Sequence, residues 1–322
     1  MKIGVLTSGG DAPGMNAAIR AAVRQADALG HEAWGIFRGY QGLLEGDLEP
    51  LPSRACANIL QRGGTILRTA RCKQFHDPAH RAKAAETLKA AGIEALVVIG
   101  GDGSFRAAEA LLREHGVACA GIPGTIDNDL PGTERTLGFD TALNTAVEAI
   151  DRIRDTASSH GRLFLVEVMG RASGMLAVHT AIACGAEAVL YPESPDDSYE
   201  ALVAQLNANW LRGKRSSIVV VAEGDTTGRA MAVGERLKRD HELDLRVVVL
   251  GHVQRGGSPS ALDRIWGSRW GSEAVRRLDR GERGFYLGEV AGALVAQPLS
   301  RILEPQPLPP GDLGRLVAVL AR

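Results

Sequence analysis

Short apolar runs alternate with amphipathic stretches from the first residues almost to the end of the chain. Ile3–Leu6 leads through a glycine-rich turn into the alanine-rich helical stretch Asn16–Ala28, and Ala33–Phe37 reads as a second strand. The pattern then predicts helix over Arg81–Ala91, strand over Ala95–Ile99, helix over Phe105–Arg113 and strand over Val117–Ile122. Continuous apolar strands separated by helices predict a parallel sheet covered on both faces.

The alternation restarts after Pro131-Gly132. Thr141–Thr156 is a long helix, Leu163–Met169 a strand, Gly174–Cys184 a helix and Ala188–Tyr191 a strand. Tyr199–Leu211, Ile218–Ala222 and Leu245–Leu250 extend the series. Two lobes are therefore expected, with the chain crossing near residue 138 and again near Gly251. Pro305–Pro310 reads as a tether to a last short helix.

The chain of 322 residues is comfortable for two lobes. Its 37 Lys+Arg face 38 Asp+Glu, so no global field recruits nucleic acid or a membrane. Six of those cations are Lys, which leaves 31 Arg to build any anion clamp. The cysteines at 56, 72, 119 and 184 lack zinc-like spacing and read as isolated thiols of a reducing compartment. No signal-like or membrane-length apolar segment is evident, so a cytoplasmic protein is expected.

Five strand-end segments carry the chemistry. Thr7-Ser8-Gly9-Gly10-Asp11 joins the first strand to its helix, where backbone N–H groups can approach phosphate oxygens. It fits neither GxGxxG nor GxxxxGK[ST], and the bland alternative is a tight turn. Gly100-Gly101-Asp102-Gly103-Ser104 repeats the setting; Asp102 reads as a Mg²⁺ ligand or as a helix cap. In Thr125-Ile126-Asp127-Asn128-Asp129, an extended backbone puts 125, 127 and 129 on one face. Carboxylates there suit a general base that takes a hydroxyl proton, with an Asx-rich turn as the alternative.

Met169-Gly170-Arg171 and His252-Val253-Gln254-Arg255 again end strands with guanidinium groups beside glycines, a pairing suited to phosphate. A histidine near a strand end is more often structural, and His252 gains weight from Arg255. Carboxylates and guanidinium groups at several strand ends point to phosphoryl transfer.

Together and in this order, the five segments resemble the bacterial-type ATP-dependent 6-phosphofructokinases, from Lys2 to about Gly288. The resemblance implies an α/β fold of two Rossmann-like lobes, each a mainly parallel sheet flanked by helices. Residues 1–138 plus 251–300 would form the ATP-binding lobe, and 139–250 plus 301–322 the fructose-6-phosphate-binding lobe. The implied reaction moves the γ-phosphoryl of MgATP to the 1-hydroxyl of fructose 6-phosphate, in glycolysis.

By resemblance, Asp127 is the general base, Thr125 and Arg171 hold the moving phosphoryl, and Gly10 offers an N–H near the γ-phosphate. Asp102 positions Mg²⁺, and Asp129 supports it. Arg71, Cys72, Gly103 and Ser104 contact the nucleotide, although Cys72 and His76 stand where other bacterial members place an aromatic and an Arg. Met169, Gly170 and Glu223 match the sugar pocket, and His252 and Arg255 the 6-phosphate clamp.

Arg162 and Arg246 match arginines donated by a neighbouring subunit, which implies a homotetramer. Arg20, Arg24, Arg154, Gly185, Glu187, Arg212 and Lys214 match an effector site for ADP or phosphoenolpyruvate; scattered surface cations are the alternative. Gly103 and Gly124 are small where pyrophosphate-using relatives carry Asp and Lys, which favours ATP as donor.

Overall fold

Val5, Leu6, Val97, Val98, Ile99 and Ile122 are all shielded from solvent, as strands covered on both faces require. The computed structural model describes residues 1–194, 199–214, 216–224, 228–304 and 312–321. The chain divides into two units, Met1–Thr141 with Arg255–Gln306, and Ala142–Gln254 with Pro307–Arg322.

The chain begins with β1 (Lys2–Ser8), α1 (Met15–Ala28), β2 (Glu32–Ile36), α2 (Gly39–Glu45) and β3 (Leu48–Pro50). It continues with α3 (Pro78–Ala91), β4 (Ile93–Gly100), α4 (Asp102–His115), β5 (Ala118–Thr125) and the two-residue β6 (Leu137–Gly138). Helix α5 (Phe139–His160) leads into β7 (Leu163–Val168), α6 (Met175–Ala183) and β8 (Ala188–Leu190). Then come α7 (Tyr199–Leu211), β9 (Ser217–Ala222), α8 (Arg229–His241) and β10 (Leu245–Val249). Helix α9 (Ala261–Asp279), β11 (Phe285–Val290), β12 (Ala293–Pro298) and α10 (Asp312–Leu320) close the series.

The first unit holds an eight-stranded sheet ordered β12-β11-β5-β4-β1-β2-β3, with β6 paired to β5. Its centre is parallel, but β3 and β12 run antiparallel to β2 and β11. The second unit holds a parallel sheet ordered β10-β7-β9-β8. Both are the expected α/β layering, with the antiparallel edges added.

Helices α1 and α9 pack closely because each offers small residues. Ala17, Ala18 and Ala22 are buried on α1. A Cβ at Gly267 would come 2.9 Å from the Gly14 carbonyl, and one at Gly271 would come 2.3 Å from that of Ala18. Only glycine permits that approach.

Three local expectations change. Strand β5 runs on through Pro123-Gly124-Thr125, and helix α4 starts at Asp102 itself. The backbone after Thr125 is not extended, because Asn128 is left-handed at φ 49°. The single-face argument for residues 125, 127 and 129 therefore fails, and the segment is a turn. The expected tether at Pro305–Pro310 lies outside the described residues, while the last helix is α10.

The four cysteines are free thiols. Burial pushes the Cys119 thiol up to about 12 and those of Cys56 and Cys184 up to about 11, so they are poor nucleophiles at neutral pH. Among the described residues, no helix is long and apolar enough to cross a membrane.

Candidate active site

Parallel pairing sets the strand ends of the first unit in a row. Ser8 of β1 lies opposite Gly100 of β4, and Gly100 lies opposite Pro123 of β5. The three turns that follow therefore leave the same edge of one sheet side by side, as carboxyl ends do in open α/β folds. Gly9-Gly10-Asp11, Asp102-Gly103-Ser104 and Thr125-Ile126-Asp127 are neighbours by construction. A Cβ placed on Gly101 would touch the Thr125 side chain at 3.5 Å, and one on Gly9 would lie 3.6 Å from Ser104 Oγ.

Each turn is held by buried polar groups. Asp127 is 3 % exposed, and its N–H donates to Thr125 Oγ1 at 3.1 Å. Thr136 Oγ1 donates to the Thr125 carbonyl at 2.6 Å and to Asn128 Oδ1 at 3.1 Å, which fixes the left-handed corner. Asp129 follows that corner, partly exposed. Asp102 accepts a 2.8 Å bond from Arg106 Nε one helical turn on. Tyr40, missed in the sequence, donates its buried hydroxyl to the Ser104 carbonyl at 2.7 Å and stacks on Phe75 at 4.3 Å.

Asn16 was also missed. Its amide donates to the Arg62 and Gly63 carbonyls and accepts from the Ile66 N–H, so it pins the long coil that ends at Arg71. Thr69 Oγ1 joins this coil to the Gly9 carbonyl at 2.8 Å. Arg71 is exposed and Cys72 half-buried at the start of a 3₁₀ turn over Lys73–His76. Arg81 holds that turn by donating to the Phe75 and His76 carbonyls while pairing with Glu114 at 2.6 and 2.9 Å. A lone arginine on a helix gave no signal of this in the sequence. Arg255 Nη1 donates to the Asp11 carbonyl at 3.0 Å, beside Gly10.

The second unit repeats the strand-end arrangement. Val168 of β7 lies opposite Ala222 of β9, so Met169 and Glu223 leave adjacent strands. The Met169 N–H donates to Gln254 Oε1 at 2.9 Å, and the Arg171 N–H donates to Glu223 Oε1 at 3.2 Å. Gly170 has φ 139° and Arg171 φ 52°. A left-handed arginine costs about 1–2 kcal/mol, and such strain tends to collect where a side chain must be aimed. His252 lies exposed in a short 3₁₀ turn after β10.

Asp244 couples the two arginines expected to serve a neighbouring subunit. It accepts from Arg162 Nε at 2.9 Å and from Arg246 Nη1 at 2.6 Å. The Arg162 bond, with the Arg246 bond behind it, holds its carboxyl below the usual range.

Four of the expected effector residues also meet in this unit. The Arg154 guanidinium donates to the Cys184 and Gly185 carbonyls, and Arg154 and Lys214 each stand 3.7 Å from Glu187. Arg212 lies exposed just past α7. Arg20 and Arg24 belong to the first unit, on α1, with their charge near Cys56.

Among the described residues, no cluster of three or more His, Cys, Asp or Glu is shaped to hold a metal ion. Mg²⁺ bound chiefly through substrate phosphates needs one or two carboxylates, and the donor set at Asp102 suits that hard cation.

With the geometry in place, the comparisons with known proteins decide the family. The phosphofructokinase family model matches residues 2–278. The chain belongs to the phosphofructokinase family. It is 55% identical over 320 residues to ATP-dependent 6-phosphofructokinase 1 of Thermus thermophilus, covering 99% of both chains. It is 54% identical over 287 residues to the ATP-dependent 6-phosphofructokinase of Bacillus cytotoxicus, covering 89% of both. Among solved structures, phosphofructokinase from Saccharomyces cerevisiae superposes with a TM-score of 0.83 at 34% identity over 100% of this chain. This phosphofructokinase-family chain spans 48% of that yeast chain.

Proposed function

We propose that this chain is an ATP-dependent 6-phosphofructokinase, which phosphorylates the 1-hydroxyl of fructose 6-phosphate and releases fructose 1,6-bisphosphate and ADP in glycolysis. The observation that carries this reading is the row of strand ends at Ser8, Gly100 and Pro123, which sets a glycine turn, Asp102 and Asp127 side by side.

Asp127 takes the proton from the 1-hydroxyl as that oxygen attacks phosphorus. Thr125, the Gly10 N–H and Arg171 hold the transferring phosphoryl and offset its charge. Asp102, with Asp129 in support, would hold Mg²⁺, which when bound neutralises charge on the phosphate oxygens. Arg71, Cys72, Gly103 and Ser104 take the nucleotide in the first unit, the ATP-binding lobe. Met169, Gly170 and Glu223 take the sugar in the second unit, the fructose-6-phosphate lobe. His252 and Arg255 take its 6-phosphate.

ATP is the donor because residue 103 is open: a Cβ there meets no atom within 4 Å. The donor's nucleoside arm therefore has room that a larger side chain would fill. Arg162 and Arg246 serve a neighbouring subunit of a homotetramer, and Arg20, Arg24, Arg154, Gly185, Glu187, Arg212 and Lys214 bind ADP or phosphoenolpyruvate as effector. The enzyme works in the cytoplasm, away from nucleic acid and membranes.

A matrix of ATP and pyrophosphate against fructose 6-phosphate and other sugar phosphates tests the reading. Turnover confined to MgATP with fructose 6-phosphate is expected. Turnover with pyrophosphate and not ATP would overturn the donor, and none in any combination would overturn the activity.

A further inference from the structure

Gly138 is wedged among the parts that the proposed reaction must align. A Cβ on it would meet Ala12 Cβ at 2.7 Å and Pro13 Cδ at 3.1 Å in the β1 turn, and Ile126 Cγ2 at 3.1 Å beside the base. Gly138 also pairs with Thr125 across β5 and β6. Its position therefore sets how closely the phosphate turn and the Thr125–Asp127 turn approach each other.

One buried carboxylate holds that keystone. Asp263, 3 % exposed near the start of α9, accepts the Gly138 N–H at 2.9 Å through Oδ1. Its Oδ2 accepts the Thr141 N–H at 3.0 Å and the Thr141 hydroxyl. Thr141 Oγ1 in turn accepts the Ser260 N–H at 2.9 Å, and Ser260 Oγ caps α9 by accepting the Asp263 N–H. The carboxylate thus sits at the N-terminus of the 22-residue helix α5, where unpaired N–H groups and the helix dipole favour negative charge. Asp263 also abuts the phosphate turn itself, since a Cβ on Gly14 would lie 3.2 Å from its Cβ. Helix capping needs only Thr141; the bond to Gly138 fixes the keystone.

We infer that Asp263 is a positioning residue for phosphoryl transfer, which sets the spacing between the Gly10 turn and the base Asp127 by holding Gly138 and Thr141. The inference rests on the activity proposed above. Asp263 is buried and is not among the residues proposed to contact either substrate. Its loss misaligns the reacting groups while leaving each binding surface intact.

Asp263→Asn keeps the side-chain shape but turns one acceptor into a donor that faces a backbone N–H. Thr141→Val removes the hydroxyl bond, and Thr141→Ser retains it. A misplacement of 1 Å costs about a hundredfold in rate, so a partial shift should lower kcat about tenfold or more in Asp263→Asn and Thr141→Val. KM for ATP and fructose 6-phosphate should stay within about threefold, the signature of an interaction felt in the transition state. Thr141→Ser should retain wild-type kcat. Amide exchange over residues 126–141 should quicken in Asp263→Asn, with the rest of the first unit unchanged.

Wild-type kcat per folded Asp263→Asn molecule would overturn the inference, whatever its Tm, and so would a raised KM at unchanged kcat. If Asp263→Asn does not fold, Thr141→Val is judged by the same criteria. A wild-type protein inactive with every donor would refute the activity instead; unchanged exchange over 126–141 would then refute the role of Asp263 separately.

Discussion

Gly100→Ala puts the strand-end argument at risk with one methyl group. Gly100 closes β4 between Ser8 of β1 and Pro123 of β5. A Cβ there would lie 2.5 Å from Ser104 Oγ, 2.8 Å from Ser104 Cβ and 2.6 Å from the Ser8 carbonyl. The Ser104 hydroxyl can rotate away, but its Cβ is fixed to α4 and the Ser8 carbonyl belongs to a central strand. The clash is relieved only by parting β4 from β1 or pushing the first turn of α4 outward.

Overpacking of this kind costs about 1–3 kcal/mol. Each kcal/mol lowers Tm by about 2–4 °C in a domain of roughly 150–250 residues. Moving Asp102–Ser104 by about 1 Å against the β1 turn should also lower kcat about a hundredfold. Gly103→Ala is the companion variant, because its Cβ meets nothing within 4 Å. Gly103 stands in the first turn of α4, where alanine's advantage over glycine is smaller than the roughly 0.5–1 kcal/mol of a helix interior, so the variant's Tm should not fall. Thermal unfolding and coupled turnover with MgATP and fructose 6-phosphate read both effects. A Gly100→Ala protein with wild-type Tm and kcat would refute the reasoning.

Two further outcomes follow from other parts of the molecule. The bond from Arg81 holds the Glu114 carboxyl below its ordinary value of 4.5. The stability that it contributes is therefore fully present above that value and lost as pH falls through the lowered one. The Tm gap between wild type and Glu114→Gln should close in acid, and a gap independent of pH would contradict the assignment. Asp244→Ala frees two long arginine side chains from a common anchor. The lost ordering should raise KM for fructose 6-phosphate about three- to tenfold with little change in kcat or Tm; an unchanged KM counts against a role for the pair.

The core of both sheets was legible because its strands are continuous apolar runs. Val97-Val98-Ile99 and Val219-Val220-Val221 cannot be solvent-facing on either side, and all six are buried. The edges were not legible. β3 is only three residues long, and β12 is a short, mostly half-exposed edge strand whose four apolar residues run straight into Gln-Pro. Helix α9 was hidden for a different reason: Gly267 and Gly271, poor helix formers, sit in its middle because α1 passes so close.

Asp102 and Arg171 could be singled out since each follows a strand and neighbours a glycine, and Asp127 since it stands in an Asp-Asn-Asp string just past a strand. Their supports could not. Tyr40, Arg81 and Asp263 reach Ser104, Glu114 and Thr141, which lie 64, 33 and 122 positions away, and nothing local marks them. The turn at Asn128 was legible only as the alternative reading, because an Asp-Asn-Asp string is compatible with extended and left-handed backbone alike.

The central claim is that Asp127 is the general base of a phosphoryl transfer to a sugar hydroxyl. Asp127→Asn, compared with wild type for kcat and for equilibrium binding of fructose 6-phosphate, tests it most directly. General-base catalysis contributes about 10²–10⁴-fold, so kcat should fall by that factor while the sugar phosphate still binds. An Asp127→Asn enzyme that turns over at the wild-type rate would contradict the account.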